Sequence, residues 1–137
     1  MSQHPIKSVF VADDDEDDRF LLRIAFDKCC PETKVSFAVD GLDLLQSLDE
    51  SALQPCLIIL DLNMPRLDGF ESLKILRASQ AYQQVPIVVF STSAETGDLQ
   101  KAKQLGANDY IVKPLTINRL DQMAGRLKKD WDLADCQ

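Results

Sequence analysis

Residues 56–65, near the middle of the chain, read CLIILDLNMP. The apolar run ends on Asp61, and a proline interrupts the chain four residues later. A short apolar run that closes on a carboxylate and a proline-marked break predicts a buried strand with an acid in the loop at its carboxyl end. Asp61 is therefore the first candidate for a functional residue.

Three other short apolar runs end on polar residues in the same way. The polar residues that follow them are, in chain order, Asp13-Asp14-Asp15, Ser91-Thr92-Ser93 and Lys113-Pro114. Ligands of an open parallel sheet bind outside the carboxyl ends of its strands. We therefore expect these polar residues and Asp61 to meet at one pocket.

Strand-like runs alternate with amphipathic helical stretches along the chain. The predicted strands lie near residues 7–12, 34–39, 56–60, 86–91 and 109–113. Five strands that alternate with five helices predict an α/β fold, in which a parallel sheet is covered on both faces and the crossovers are right-handed.

Four of the helical stretches carry apolar residues at helical spacing. The expected core positions are Phe20, Leu21, Leu22, Ile24 and Ala25, then Leu42, Leu45 and Leu48, then Phe70, Leu73 and Leu76, and finally Leu120, Met123, Ala124 and Leu127. The fourth helix, about residues 95–105, offers only Leu99, Ala102 and Leu105. Because it has so little to bury, we expect it to be among the less stable parts of the domain.

The length, net charge and hydrophobic content of the chain argue against several classes of protein. At 137 residues the chain is long enough for one domain with a real core. A net charge of −7 argues against a general nucleic-acid footprint, which needs a basic face. No apolar run approaches the roughly 20 residues of a membrane span, and the first residues show no signal pattern.

The four cysteines are interpreted as reduced thiols of a cytoplasmic protein. Cys29 and Cys30 are adjacent, Cys56 opens a strand, Cys136 lies in the tail, and none belongs to a C-x-x-C pair. The single histidine, His4, lies near the amino terminus, so the sequence argues against a zinc site.

The polar residues at the strand ends fit phosphoryl chemistry. Carboxylates held together resist ionisation unless a cation neutralises them, and Mg²⁺ prefers one or two carboxylates together with phosphate oxygens. Lys113 would supply a positive charge to a phosphoryl group and Ser91 a hydroxyl donor, while the Asp61 carboxylate could act as a nucleophile. Taken singly, each feature has a plainer interpretation: an acidic helix start, a capping aspartate or an ordinary loop.

Together, the motifs resemble the receiver domain of response regulators of the chemotaxis-regulator type, over about residues 6–128. The matching segments read VFVADDD at 9–15, IILDLNMPRLDG at 58–69, VVFS at 88–91 and DYIVKP at 109–114. The resemblance implies a flavodoxin-like, doubly wound sheet with strand order 2-1-3-4-5. It also implies a single receiver domain over 1–137, with a short tail at 129–137 and no output domain.

The resemblance implies a Mg²⁺ site and a phosphoacceptor. Asp61 would be phosphorylated by a partner histidine kinase, and Lys113 would bridge to the phosphoryl oxygens. Asp14 and Asp61 would be the more direct metal ligands, Asp13 would act partly through water, and the backbone carbonyl of Asn63 would complete the site. Asp15 leaves a small ambiguity of register in the acidic run.

The resemblance also implies a conformational switch and residues that set the lifetime of the phosphorylated aspartate. Ser91 would move toward the phosphoryl group and Tyr110 would turn inward behind it, which would change the face formed by the fourth helix, fifth strand and fifth helix. Asn63, Thr92 and Ser93 occupy positions that tune phosphate lifetime. Thr92 stands where the family usually has a very small residue, which would narrow access to the phosphoryl group.

The implied protein is a signalling module rather than an enzyme, apart from self-catalysed phosphorylation and dephosphorylation of its own aspartate. Its partners would be a histidine kinase and an unidentified target or phosphotransfer protein, and it would be a monomer or homodimer. The Ser-Thr-Ser run at 91–93 also resembles the small regulators paired with phytochrome-like kinases.

Three alternatives stay open at this point. A haloacid-dehalogenase-type phosphatase would also use a strand-end aspartate, but it carries a second acid where this chain has Asn63. A phosphorylation-independent adaptor with a receiver-like fold would be expected to lack some of the aspartates or the lysine. A flavodoxin-like flavin protein would need a phosphate loop after the first strand, where this chain is acidic.

Overall fold

Each predicted strand forms in the computed structural model, which describes residues 7–114 and 116–131. The strands are β1 (Ser8–Ala12), β2 (Lys34–Ala38), β3 (Leu57–Leu60), β4 (Ile87–Ser91) and β5 (Asp109–Val112). All pairings are parallel and the spatial order is β2-β1-β3-β4-β5. The predicted doubly wound sheet and its strand order are confirmed.

Helices follow the strands in strict alternation. They are α1 (Glu16–Cys29), α2 (Gly41–Glu50), α3 (Gly69–Ala78), α4 (Thr96–Gln104) and α5 (Ile117–Asp130), with a short 3₁₀ turn at Gln80–Tyr82. Side-chain oxygens of Asp15, Asp40, Asp68 and Thr116 cap the amino ends of α1, α2, α3 and α5. No helix in the described ranges combines the length and apolar character needed to cross a membrane.

The two faces of the sheet build two separate cores, because successive side chains of a strand point to opposite faces. Val9 and Val11 of β1 pack with α1 and α5, whereas Phe10 and Ala12 pack with α2 and α3. β3 alternates in the same way and is fully buried. This arrangement holds the carboxyl ends of β1 and β3 side by side, with Ala12 in register with Leu60.

The expected core positions on two helices need correction. Phe20 is 63% exposed, whereas the predicted Leu22 and Ala25 are buried together with Phe26, which was not predicted. On α2 the buried leucines are Leu44 and Leu48, four residues apart, while Leu42 is exposed. In both cases the apolar residues outnumber those that one helical stripe can bury, so the sequence alone did not select the stripe.

The fourth helix buries as little as expected. Only Ala102 of α4 is fully buried, Leu99 is exposed and Leu105 is half-buried. The predicted core positions of the last helix, in contrast, are all buried. The prediction that α4 is among the less stable parts stays a prediction.

One expectation about the cysteines is wrong. The structure joins Cys29 and Cys30 by a disulfide, whereas the sequence predicted reduced thiols. Cys30 lies at the end of α1, where the backbone leaves the helical conformation. The Sγ of Cys56 donates to the carbonyl of Ser8 at 3.1 Å, and Cys136 lies outside the described residues.

Candidate functional site

Asp61 lies directly after β3 and is 5% exposed. Its backbone N–H donates to the carbonyl of Ala12 at 3.0 Å, so the residue continues the pairing of β3 with β1. The start of α3 approaches it so closely that a Cβ at Gly69 would overlap the Asp61 carbonyl. The Asp-Gly that opens α3 is therefore needed for the backbone around the candidate phosphoacceptor to close.

The three aspartates that follow β1 make different contacts. Asp15 caps α1 by accepting hydrogen bonds from the backbone of Asp17 and Asp18, as a helix start of this composition predicts. Asp13 is fully buried and Asp14 is exposed, and one carboxylate oxygen from each lies within 4.8 Å of an oxygen of Asp61. Asp13 and Asp14 are therefore the aspartates of this run that lie beside Asp61, because the Asp15 side chain caps α1.

Lys113 reaches back from the end of β5 into this acidic group. Its Nζ lies 2.7 Å from Asp18, 2.9 Å from Asp13 and 3.1 Å from Asp61. Burial by itself lowers the pKa of Lys113, but its hydrogen bonds to Asp18 and Asp13 and the charges of Asp13 and Asp61 raise it above its ordinary value. The side chain is therefore a fixed positive charge at neutral pH.

Asp13 is the carboxylate of this group whose charged form is disfavoured by burial. Burial raises its pKa to about 6, against the opposing effects of the Asp15 backbone N–H and the Lys113 charge. Its Oδ2 pairs with Lys113 Nζ at 2.9 Å, and no second donor reaches this buried oxygen among the described residues. A buried, under-satisfied carboxylate oxygen beside two further carboxylates fits a hard divalent cation such as Mg²⁺.

The hydroxyl and aromatic candidates lie on the neighbouring strand ends. Ser91 is fully buried, and its Oγ accepts from the backbone N–H of Ser93 at 3.2 Å. Ser93 in turn donates through Oγ to Asp98 of α4 at 2.6 Å. The Tyr110 hydroxyl donates to the carbonyl of Ser93 at 2.8 Å. Ser93 therefore connects the strand end, the aromatic candidate and α4.

Thr92 and Asn63 are the more exposed candidates. Thr92 lines a cavity of about 730 Å³ between β5 and α5, whose lining also includes Lys113 and Arg119. The backbone N–H of Asn63 lies 3.5 Å from Asp61 Oδ1. The carboxylates of Asp13, Asp14 and Asp61 lie outside the lining of this open cavity, which the acidic group shares only through Lys113.

The fold and these residues define a class of protein. Residues 9–125 match the response regulator receiver domain, and the chain belongs to that family. A receiver domain is a signalling domain rather than a catalytic enzyme.

Individual relatives agree with this assignment. The chain is 28% identical over 127 residues to the probable methanogenesis regulatory protein FilR2 of Methanothrix harundinacea, covering 90% of this chain and 82% of that protein. It superposes with a TM-score of 0.85 on the phosphorylated cyanobacterial phytochrome response regulator RcpA, at 29% identity, covering 92% of this chain and 94% of the other. For the Mn²⁺-bound form of response regulator Rcp1 the TM-score is 0.81 and the identity 25%, over 91% and 94% of the two chains.

Two features of the site were missed by sequence reasoning. Asp18 was treated as part of a solvated acidic run, but it makes the shortest contact with Lys113. Arg66, in the loop after Asp61, pairs with the buried Asp40. Asp18 lies in the first turn of α1, three residues after the capping Asp15, so its closeness to the end of β1 could have been inferred from the predicted helix start, whereas no local pattern indicated the pairing of Arg66.

Proposed function

We propose that the chain is a stand-alone response regulator whose Asp61 accepts a phosphoryl group from a histidine kinase in a Mg²⁺-dependent reaction. The observation that carries this proposal is the position of Lys113, whose single positive charge is buried among three carboxylates at the carboxyl ends of β1, β3 and β5. A group with this excess of negative charge has capacity for a further cation, and Lys113 is placed to pair with phosphoryl oxygens.

In the proposed reaction an oxygen of Asp61 attacks the phosphorus of a phosphohistidine. A P–O bond forms, the P–N bond breaks, and the electron pair leaves with the imidazole. Asp13, Asp14, Asp61 and the carbonyl of Asn63 would hold Mg²⁺, which when bound supplies charge neutralisation for the incoming phosphoryl oxygens. Lys113 would pair with the transferred group and Ser91 would donate its hydroxyl. Positioning and neutralisation account for most of phosphoryl-transfer catalysis.

The output of the proposed switch is a change in the face formed by α4, β5 and α5. Tyr110 holds the carbonyl of Ser93, and Ser93 holds Asp98 of α4, so a movement of Ser91 toward a phosphoryl group would disturb both contacts. Exposed apolar side chains lie on each element of this face: Leu99, Val112 and Ile117. Exposed apolar residues at a face whose arrangement can change support signalling by protein contact.

The remaining parts of the proposal concern the setting. We treat residues 1–137 as one receiver domain that acts on an unidentified target or phosphotransfer protein, in the cytoplasm, as a monomer or homodimer. The similarity to RcpA along nearly the whole of both chains supports a stand-alone domain and a phytochrome-type kinase as the phosphodonor.

Phosphorylation by acetyl phosphate, followed by intact mass, tests the proposal. Wild type, Asp61→Asn and the control Asp27→Asn, which changes an exposed aspartate of α1, are compared with and without MgCl₂. We expect a Mg²⁺-dependent gain of one phosphate in wild type and in the control, and none in Asp61→Asn.

Two outcomes would contradict the proposal. If wild type takes up no phosphate from acetyl phosphate or from a purified phytochrome-type kinase, the phosphorylation-independent adaptor is favoured. If it continuously hydrolyses a small phosphomonoester instead, the phosphatase alternative is favoured.

A further inference from the structure

The loop between β3 and α3 contains a tight turn in an unfavourable backbone conformation. The N–H of Leu67 donates to the carbonyl of Pro65 at 2.6 Å, and the residue between them, Arg66, has a φ of 65°. Apart from glycine, Arg66 has the only positive φ among the described residues. A bulky residue persists in this conformation only where the surrounding structure holds it there.

An ion pair with α2 holds the turn. Arg66 Nε lies 2.6 Å from Asp40 Oδ2, and the Asp40 side chain is buried. The other oxygen of Asp40 accepts from the backbone N–H of Asp43 at 2.8 Å and so caps α2. The hydrogen bond from Arg66 is the main reason that the pKa of Asp40 lies below its ordinary value. A single carboxylate thus joins the start of α2 to the loop.

A backbone contact supports the same junction. The N–H of Gly41 donates to the carbonyl of Leu67 at 3.1 Å. A Cβ at Gly41 would overlap that carbonyl and the hydroxyl of Ser72 in α3. The amino end of α2 therefore packs directly on the loop, and residues 66–67 are held from outside the loop itself.

We propose that Arg66 and Asp40 are positioning residues, which hold the β3–α3 loop so that the Asn63 carbonyl is aimed at the acidic group and thereby set its affinity for Mg²⁺. This inference rests on the proposed function, because it requires that the Asp13, Asp14 and Asp61 carboxylates bind the ion. Asn63 lies three residues before Arg66 in a loop whose other end is fixed by the bond from Gly69 N–H to the Leu62 carbonyl, at 2.9 Å. With both ends held, the carbonyl has little freedom to turn away.

The experiment measures Mg²⁺ affinity by calorimetry and the free energy of unfolding by urea titration in parallel. Arg66→Gly removes the charge but accepts the positive φ, Arg66→Lys keeps a cation, and Asp40→Asn keeps the cap of α2 while removing the charge. Lys28→Gln, which breaks an exposed ion pair with Asp121 remote from the loop, is the control.

We expect Arg66→Gly and Asp40→Asn each to weaken Mg²⁺ binding about threefold to tenfold, below the 10- to 100-fold loss typical of directly hydrogen-bonded outer-shell partners. The double variant should lose no more than the larger single loss, since both changes break one contact. Arg66→Lys should bind Mg²⁺ within about twofold of the wild-type affinity, because it keeps a cation near Asp40. Lys28→Gln should bind Mg²⁺ with the wild-type affinity, because its exposed ion pair contributes little. The amide signal of Asn63 in a ¹H–¹⁵N spectrum should shift in the two weakened variants.

Wild-type Mg²⁺ affinity in Arg66→Gly, with or without a lower free energy of unfolding, would overturn the inference and leave the proposed function intact. Losses that multiply in the double variant would also overturn it, because the two residues would then act separately. Absence of Mg²⁺ binding by wild type would overturn both the inference and the proposed function.

Discussion

Each end of the sheet holds one cation, half-buried Arg77 or the more deeply buried Lys113, and the two are surrounded differently. At the amino ends of β4 and β5, Arg77 of α3 donates to neutral oxygens alone. Its acceptors are the carbonyls of Tyr82, Gln83, Val85 and Gly106 and the side-chain oxygen of Asn108, at 2.8–3.2 Å. At the carboxyl ends, Lys113 meets three carboxylates.

This difference separates a structural joint from a functional site. The Arg77 guanidinium fills its donors with acceptors that carry no net charge, so the junction is complete as it stands. The carboxylates around Lys113 exceed it in charge, and Lys113 is the single donor that reaches the buried Oδ2 of Asp13 among residues 7–114 and 116–131. The first arrangement stabilises the fold, whereas the second leaves an excess of negative charge that the proposed Mg²⁺ would neutralise.

The largest expected effect comes from breaking the Arg77 joint. Arg77→Leu should lower the free energy of unfolding by about 3 kcal/mol, because four carbonyls, three of them in part-buried hydrogen bonds, lose their donor together. Mg²⁺ affinity should be unchanged. Urea denaturation and calorimetry check both parts. Arg126→Gln, at an exposed cation of α5, is the control and should change the free energy by less than about 0.5 kcal/mol; an equal loss there would remove the distinction.

Removing the charge of Lys113 should lower the free energy of unfolding, and Mg²⁺ should reverse this loss. Without Mg²⁺, Lys113→Gln should lower the free energy of unfolding by about 2 kcal/mol, because the three carboxylates lose the cation that pairs with them. Saturating MgCl₂ should restore most of the loss by binding the folded state, and it should restore none in Arg77→Leu. Urea titrations of both variants with and without MgCl₂ test this contrast, and a loss that MgCl₂ leaves unchanged would show that the site does not take the ion.

The raised pKa of Asp13 should make the stability of the protein depend on pH. Its pKa is raised by burial from an ordinary 3.8 to about 6, so between these values the folded state binds more protons than the unfolded state. Stability therefore falls as pH rises through this window. Without Mg²⁺, the free energy of unfolding should be about 1 kcal/mol lower at pH 7 than at pH 5. Asp13→Asn should flatten this difference, and an equal slope in that variant would assign the effect to other groups.

The smallest expected effect concerns the lifetime of the phosphorylated state. Substitutions of Ser93 should change the rate of phosphate loss from Asp61 by about threefold, which is less than 1 kcal/mol in the barrier, because Ser93 links Ser91, Tyr110 and Asp98. Intact mass against time measures the decay. Ser79→Ala, at the end of α3, should decay like wild type, and unchanged decay in several Ser93 variants would refute a tuning role.

Sequence reasoning reached most of the fold and the main members of the site. The sequence predicted every strand to within two residues at each end; β1, β3 and β4 are fully buried, and such parallel strands are nearly continuous apolar runs. Asp13, Asp61 and Lys113 were predicted to meet because each follows a strand, and the structure brings them together. Their roles, and those of Asp14, Asn63, Ser91, Thr92, Ser93 and Tyr110, stay predictions.

The helices were harder to predict in detail. Phe20 and Leu42 were expected in the core and lie at the surface. Two adjacent stripes of each helix are apolar, and only the position of the neighbouring helix or strand selects one of them. Propensity and periodicity do not contain that position.

By itself, the sequence determined the alternation of strands and helices and the polar ends of the strands, because burial and turn chemistry act within a few residues of the chain. Only the tertiary structure decided which polar groups pair. Lys113 contacts Asp18 across 95 residues, and Arg66 contacts Asp40 across 26. Contacts between such distant residues depend on how the whole sheet is assembled, so the charges that hold the site and its loop became visible only in the assembled fold.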